Sequence, residues 1–164
     1  MQPERPPDGH RRFLKQFSEE FKLGTYFPEN LTLLAKSEPV SFQWLREAVH
    51  GSVVFFVSAR CSACRMEPIQ EFVKRYGVFR YCILFEGSRE ELELQREIYD
   101  LDTPCYLCDT VKLQGQLKVN MIPFALILNK IGQAVSAGIF NDYEKLEQLA
   151  APLIRVYERS SSRI

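Results

Sequence analysis

Val53-Val54-Phe55-Phe56-Val57-Ser58-Ala59-Arg60-Cys61-Ser62-Ala63-Cys64-Arg65 is the stretch around which the chain is organised. The run from Val53 to Val57 is short, β-branched and aromatic, which predicts a strand covered on both faces. Polar Ser58 and Arg60 end it. Downstream, Ile69, Phe72, Val73 and Tyr76 fall at helical spacing, and Gly77 stands where a helix would stop. The spacing therefore predicts a strand, a turn, and Cys61 and Cys64 opening a helix.

That placement has chemical consequences. The first turn of a helix offers unpaired N–H groups and the positive end of the macrodipole, and both favour an anion. Thiols at helix N-termini or in C-x-x-C pairs titrate at roughly 3.5–7.5. Arg60 and Arg65 flank the pair and would push the same way. Three readings are open for it: a redox dithiol, half of a zinc site, and two cysteines that only pack. In the redox reading Cys61 is the exposed nucleophile and Cys64 resolves the mixed disulfide.

Composition bounds the rest. A chain of 164 residues suits one domain with a proper core. An apolar fraction of 46% and a charged fraction of 26% predict a globular protein. The formal net charge is zero, which speaks against nucleic acid as a partner, because phosphate binding needs a basic excess. No stretch approaches the roughly 18 apolar residues of a membrane span. The N-terminus shows no apolar signal segment, so we expect a cytoplasmic protein, or an extracytoplasmic soluble domain if the chain is a fragment. Five cysteines, an odd number, do not form a secreted disulfide framework.

The sequence divides into a tail and amphipathic helix (1–23), a main domain (24–159) and a frayed C-terminal tail (160–164). Phe13, Phe17 and Phe21 repeat every four residues on one helical face, suited to packing on the domain or on a partner. Leu31 to Ala35 and Val40 to Phe42 read as strands joined by a turn at Ser37-Glu38-Pro39. A brief helix follows around Trp44. Tyr81 to Phe85 reads as a buried strand containing Cys82. Ser88-Arg89-Glu90-Glu91 resembles a capping box opening a helix with Leu92, Leu94, Ile98 and Tyr99 at imperfect spacing. Val111 to Lys118 reads as one or two helical turns. Phe124 to Leu128 and Ala134 to Ile139 read as strands joined by a hairpin turn with Gly132. Asn141 or Asp142 caps a last helix.

Pro104-Cys105-Tyr106-Leu107-Cys108 is a second C-x-x-C, and its local pattern is extended. Residues three apart in a strand point to opposite faces, so those thiols are poorly placed for a disulfide with each other. A four-cysteine zinc site with Cys61 and Cys64 would need all four sulfurs to converge.

In order, the elements resemble a thioredoxin fold: an α/β domain with a central mixed β-sheet flanked by helices, and here an N-terminal β-hairpin. The long interval between Cys64 and Pro123 is similar to the TlpA/ResA-like branch of thiol-disulfide oxidoreductases, which inserts an extra helix and strand there. Val54-Phe55-Phe56-Val57-Ser58, Ile122-Pro123-Phe124-Ala125-Leu126-Ile127-Leu128 and Gly138-Ile139-Phe140-Asn141 locally resemble MauD, a maturation factor for methylamine dehydrogenase. The likeness covers roughly residues 24–155.

The resemblance implies a thiol–disulfide oxidoreductase acting on protein substrates, with a redox partner and no dissociable cofactor. It implies that Cys61 attacks, that Cys64 resolves, and that Pro123 is cis beside them. The backbone of Ile122 would pair with an extended substrate segment. Glu67 matches an acidic position that could move protons to or from Cys64. Arg60 stands where tryptophan usually precedes the motif, so substrate would dock over Arg60, Ile122 and Pro123. Phe55 falls where thioredoxin buries an aspartate. Pro68 is the kink proline, one place early. The runner-up reading is a non-catalytic binding or assembly module of the same fold, in a less favoured version stabilised by zinc through both C-x-x-C pairs.

Overall fold

The computed structural model describes residues 22–162. The expected helix bearing Phe13, Phe17 and Phe21 lies outside them. Five strands form the central sheet: β3 (Ser52–Ser58), β4 (Arg80–Glu86), β5 (Cys105–Leu107), β6 (Phe124–Leu128) and β7 (Ala134–Ile139). Their order is β5-β4-β3-β6-β7. β3, β4 and β5 run parallel, and β6 and β7 are antiparallel to their neighbours. A sheet covered on both faces needs apolar residues at every position of its inner strands, and β3 is buried throughout. Val53, Phe55 and Val57 enter one core, and Val54 and Phe56 enter the other. β4 repeats the alternation, with Tyr81, Ile83 and Phe85 on the first face and Cys82 and Leu84 on the second.

Among the described residues, four α-helices cover the sheet: α1 (Glu67–Arg75), α2 (Arg89–Ile98), α3 (Thr110–Leu117) and α4 (Tyr143–Ser161). α1 and α4 close the first face with Ile69, Phe72, Leu146, Leu149 and Leu153, and α2 adds Leu92. α3 closes the second with Leu113 and Leu117, helped by Phe27, Leu31, Leu33 and Leu45 from the N-terminal part. The expected caps form. Ser88 and Glu91 make a reciprocal capping box, and Asp142 accepts from the Lys145 N–H at 2.8 Å. Gly132 turns the β6–β7 hairpin at φ 83°.

Three boundaries differ from the sequence reading. The N-terminal hairpin keeps only two residues per strand, β1 (Asn30–Leu31) and β2 (Val40–Ser41). Its first strand stops because Gln116 takes over the backbone of Thr32, accepting from its N–H at 2.9 Å and donating to its carbonyl at 2.8 Å. α4 runs to Ser161, into the stretch expected to fray. There the hydroxyls of Ser160 and Ser161 donate to carbonyls one turn back. The third boundary is the start of α1.

Candidate active site

β3 ends at Ser58, and Ala59 adds one more ladder bond by donating to the Glu86 carbonyl at 2.8 Å. Two tight turns follow. The Cys61 N–H donates to the Ser58 carbonyl at 3.3 Å, and the Cys64 N–H to the Cys61 carbonyl at 3.1 Å. These turns bring the two sulfurs together at the end of the central strand. Both cysteines are half-buried, and Ser62 and Ala63 between them are exposed.

The cysteines do not open the helix. α1 begins at Glu67 behind Met66, with proline in its first turn. Pro68 has no N–H to give to the Cys64 carbonyl, so a helix begun at the cysteines would lose that bond. In the first turn the missing N–H has no duty. Pro68 therefore starts this helix instead of kinking it, and the thiols lie in the turns before it.

The Cys61 Sγ lies 3.8 Å from the Ile122 carbonyl oxygen, and the Ile122–Pro123 peptide bond is cis. Pro123 is buried and Ile122 half-buried. Cys61 and Ile122, 61 residues apart in sequence, thus meet at one end of the sheet's inner strands β3 and β6. The Cys64 thiol is pushed up to about 12, first by burial and next by its hydrogen bond to Cys61. The Ser58 backbone opposes this and the charge of Cys61 adds to it. Cys64 therefore holds its proton.

The other expected residues are placed as follows. Arg60 is exposed beside the pair. Glu67 is exposed, and its carboxylate accepts from the Tyr99 hydroxyl at 3.1 Å. Its own backbone N–H, the Tyr99 bond and the nearby Arg65 charge hold Glu67 below the usual carboxylate range. The groups that act on Cys64 are Cys61 and Ser58. Phe55 is fully buried, stacked on Tyr81 with ring centres 6.1 Å apart and edge-on to Phe140 at 5.8 Å. No carboxylate stands at that position to receive a proton.

Sequence reasoning missed the wall facing the cysteines. A cleft of about 210 Å³ is lined by Cys61, Cys64 and Met66 on one side and by Glu91, Leu94 and Gln95 of α2 on the other. The signal was the imperfect apolar spacing in α2. Leu92 and Leu94 cannot share one helical face, and Leu92 is buried whereas Leu94 is 54% exposed at the cleft.

The second C-x-x-C behaves as its extended pattern predicts. Cys105 lies in β5 and packs on the first core, whereas Cys108, one residue beyond the strand, belongs to the second. Burial raises their thiols to about 11 and about 12. Among the described residues no three His, Cys, Asp or Glu side chains converge to hold a metal. The geometry thus opposes the zinc-stabilised version of the binding module.

No protein-family model matches the chain, and no curated protein matches it in sequence. Solved structures do match in fold. A Chlorobium tepidum protein assigned as thiol:disulfide interchange protein DsbE superposes with TM-score 0.64 at 14% identity, over 82% of this chain and 99% of that one. A secreted Mycobacterium tuberculosis disulfide oxidoreductase matches with TM-score 0.57 at 13% identity, over 75% and 94%. StoA from Bacillus subtilis matches with TM-score 0.53 at 18% identity, over 77% and 97%. Among the described residues no helix is long and apolar enough to cross a membrane. The fold of this chain is the thioredoxin fold, which it shares with these solved structures.

Proposed function

We propose that the protein is a thiol–disulfide oxidoreductase that exchanges a Cys61–Cys64 dithiol with disulfides of protein substrates. The observation that carries this reading is the meeting of Cys61, Cys64 and the Ile122 backbone at the end of β3, with the Cys61 Sγ 3.8 Å from the Ile122 carbonyl. In the reducing direction, the Cys61 thiolate attacks one sulfur of a substrate disulfide and the other sulfur leaves as a thiolate. Cys64 then loses its proton and attacks the Cys61 sulfur of the mixed disulfide. The substrate leaves as a dithiol, two electrons richer, and a Cys61–Cys64 disulfide remains for a redox partner to reduce. Run backwards, the same steps oxidise a substrate, and the compartment's redox poise sets the direction.

The substrate segment would lie along Ile122 and Pro123, pass Arg60, and place a side chain in the cleft beside Leu94. The Glu67 carboxylate accepts from the Tyr99 hydroxyl at 3.1 Å, which supports a position for it at the rim of this scheme, away from the proton transfer at Cys64. The secreted fold neighbour supports the extracytoplasmic alternative over a cytoplasmic setting.

The test is a trapping experiment. A Cys64→Ser variant cannot resolve its intermediate. Incubated with a disulfide-bonded protein, it should accumulate a reducible adduct that peptide mapping places on Cys61. An adduct spread over Cys82, Cys105 and Cys108, or none, would overturn the assignment.

A further inference from the structure

A sizeable groove lies at the opposite end of β3 from the cysteines. It has a volume of about 530 Å³ and runs between α4, the β6–β7 hairpin and the segment before β3. Its walls are mostly apolar: Val49, Ile131, Val135, Pro152, Val156 and Tyr157. Val49 is 75% exposed, Val156 65% and Ile131 45%, so three large apolar side chains gather at one place on a surface where single ones are the norm. His50, also in the lining, packs edge-on against Tyr157 with ring centres 5.0 Å apart. Nothing in the exchange chemistry uses this groove.

The chain itself arrives beside it. Gly24 donates to the Ala134 carbonyl at 2.7 Å, and Ala134 donates to the Thr25 carbonyl at 2.9 Å. Tyr26 bridges antiparallel to Gln133. Residues 24–27 therefore lie against Gln133 and Ala134, between the groove residues Ile131 and Val135. The sequence immediately before this point carries Phe13, Phe17 and Phe21 at a four-residue spacing.

We propose that this groove receives the Phe13/Phe17/Phe21 face of the chain's own N-terminal segment. The dimensions agree. At 1.5 Å per helical residue, Phe13 to Phe21 spans about 12 Å, and the groove's α4 wall from Pro152 to Ser160 spans about the same. A cavity of about 150 Å³ takes one benzene ring, so 530 Å³ has room for about three. Phe21 precedes the anchored residues by only a few positions, so the tether holds the segment at an effective concentration of about millimolar. On docking, three aromatic rings would leave water together.

The experiment places a photo-crosslinking benzophenone amino acid at Phe17 in the full chain, which keeps an aromatic side chain there. Illumination should give an intrachain crosslink to residues 129–135 or 152–160, with a yield independent of protein concentration. Amides 13–21 should exchange hydrogen at least about tenfold more slowly than an unstructured peptide of the same sequence. Val156→Asp should lose both the crosslink and the protection, while the Cys61–Cys64 exchange reaction is unchanged. Val49→Asp, also at an exposed position, serves as a second variant if the first fails to fold. A crosslink between two copies, a crosslink elsewhere in the chain, or unprotected amides would each overturn the proposal.

Discussion

The thiol of Cys64 is raised to about 12, and burial is the largest cause. Cys64 must become a thiolate to resolve a mixed disulfide, and the hydrogen bond to Cys61 is gone once Cys61 is bonded to substrate. The burial remains. The thiolate fraction of a group titrating so high rises about tenfold per pH unit throughout the range below its pKa. We expect the resolution step, followed by stopped flow from a preformed mixed disulfide on Cys61, to quicken by about tenfold per unit between pH 7 and 9. A rate independent of pH over that range would show that another group takes the proton. Glu67 is the residue the sequence offered for that task. General acid–base groups contribute about 10²–10⁴-fold. We expect Glu67→Gln to change the exchange rate by less than about tenfold, because its carboxylate is committed to Tyr99 at 3.1 Å. At this scale the sequence was informative about identity. Spacing and resemblance grouped Cys61, Cys64, Ile122 and Pro123, and in the fold Cys61 contacts both Cys64 and the Ile122 carbonyl beside Pro123. The position of Leu94 at the cleft was not, because a helix pattern says which residues avoid the core but not what the others face.

The strand that leads into the cysteine turn is enclosed between two cores. β3 is buried on both faces, and Phe55 occupies the place that a buried carboxylate would need. Phe55→Ala should destabilise the fold by about 3–5 kcal/mol in urea denaturation, the usual cost of removing a fully buried ring. Phe55→Asp should be worse, since the carboxylate would be enclosed by Tyr81, Phe140 and Val53 with no partner. A Phe55→Asp variant that retains wild-type stability would refute this account of the first core. The strands and caps were readable because their signals are local: apolar runs for β3, β4 and β6, Ser88 and Glu91 for α2, Asp142 for α4. The start of α1 was misread although its signal was also local. Pro68 cannot donate to the Cys64 carbonyl and stands in the first turn of α1, where proline is best tolerated. The short N-terminal strands were beyond a local reading, because Gln116 of α3 captures Thr32 from 84 residues away.

Across the whole molecule, five free thiols are sorted by the sheet. Cys61 and Cys64 share the turn at the end of its central strand. Cys82 is fully buried, and Cys105 and Cys108 enter opposite cores. The double variant Cys105→Ser with Cys108→Ala should therefore exchange disulfides within about twofold of wild type, although losing Cys108 from its core should lower stability by about 1 kcal/mol or more. A much slower enzyme would bring the second C-x-x-C into the reaction. The central claim is that one reversible dithiol does the chemistry, and the most direct measurement is to equilibrate the full chain in glutathione buffers of graded potential and map its disulfides by mass spectrometry. The account predicts one disulfide, Cys61 to Cys64, that forms and is lost along a single two-electron curve. A pair that stays reduced across the series, or a disulfide that engages Cys105 or Cys108, would contradict it.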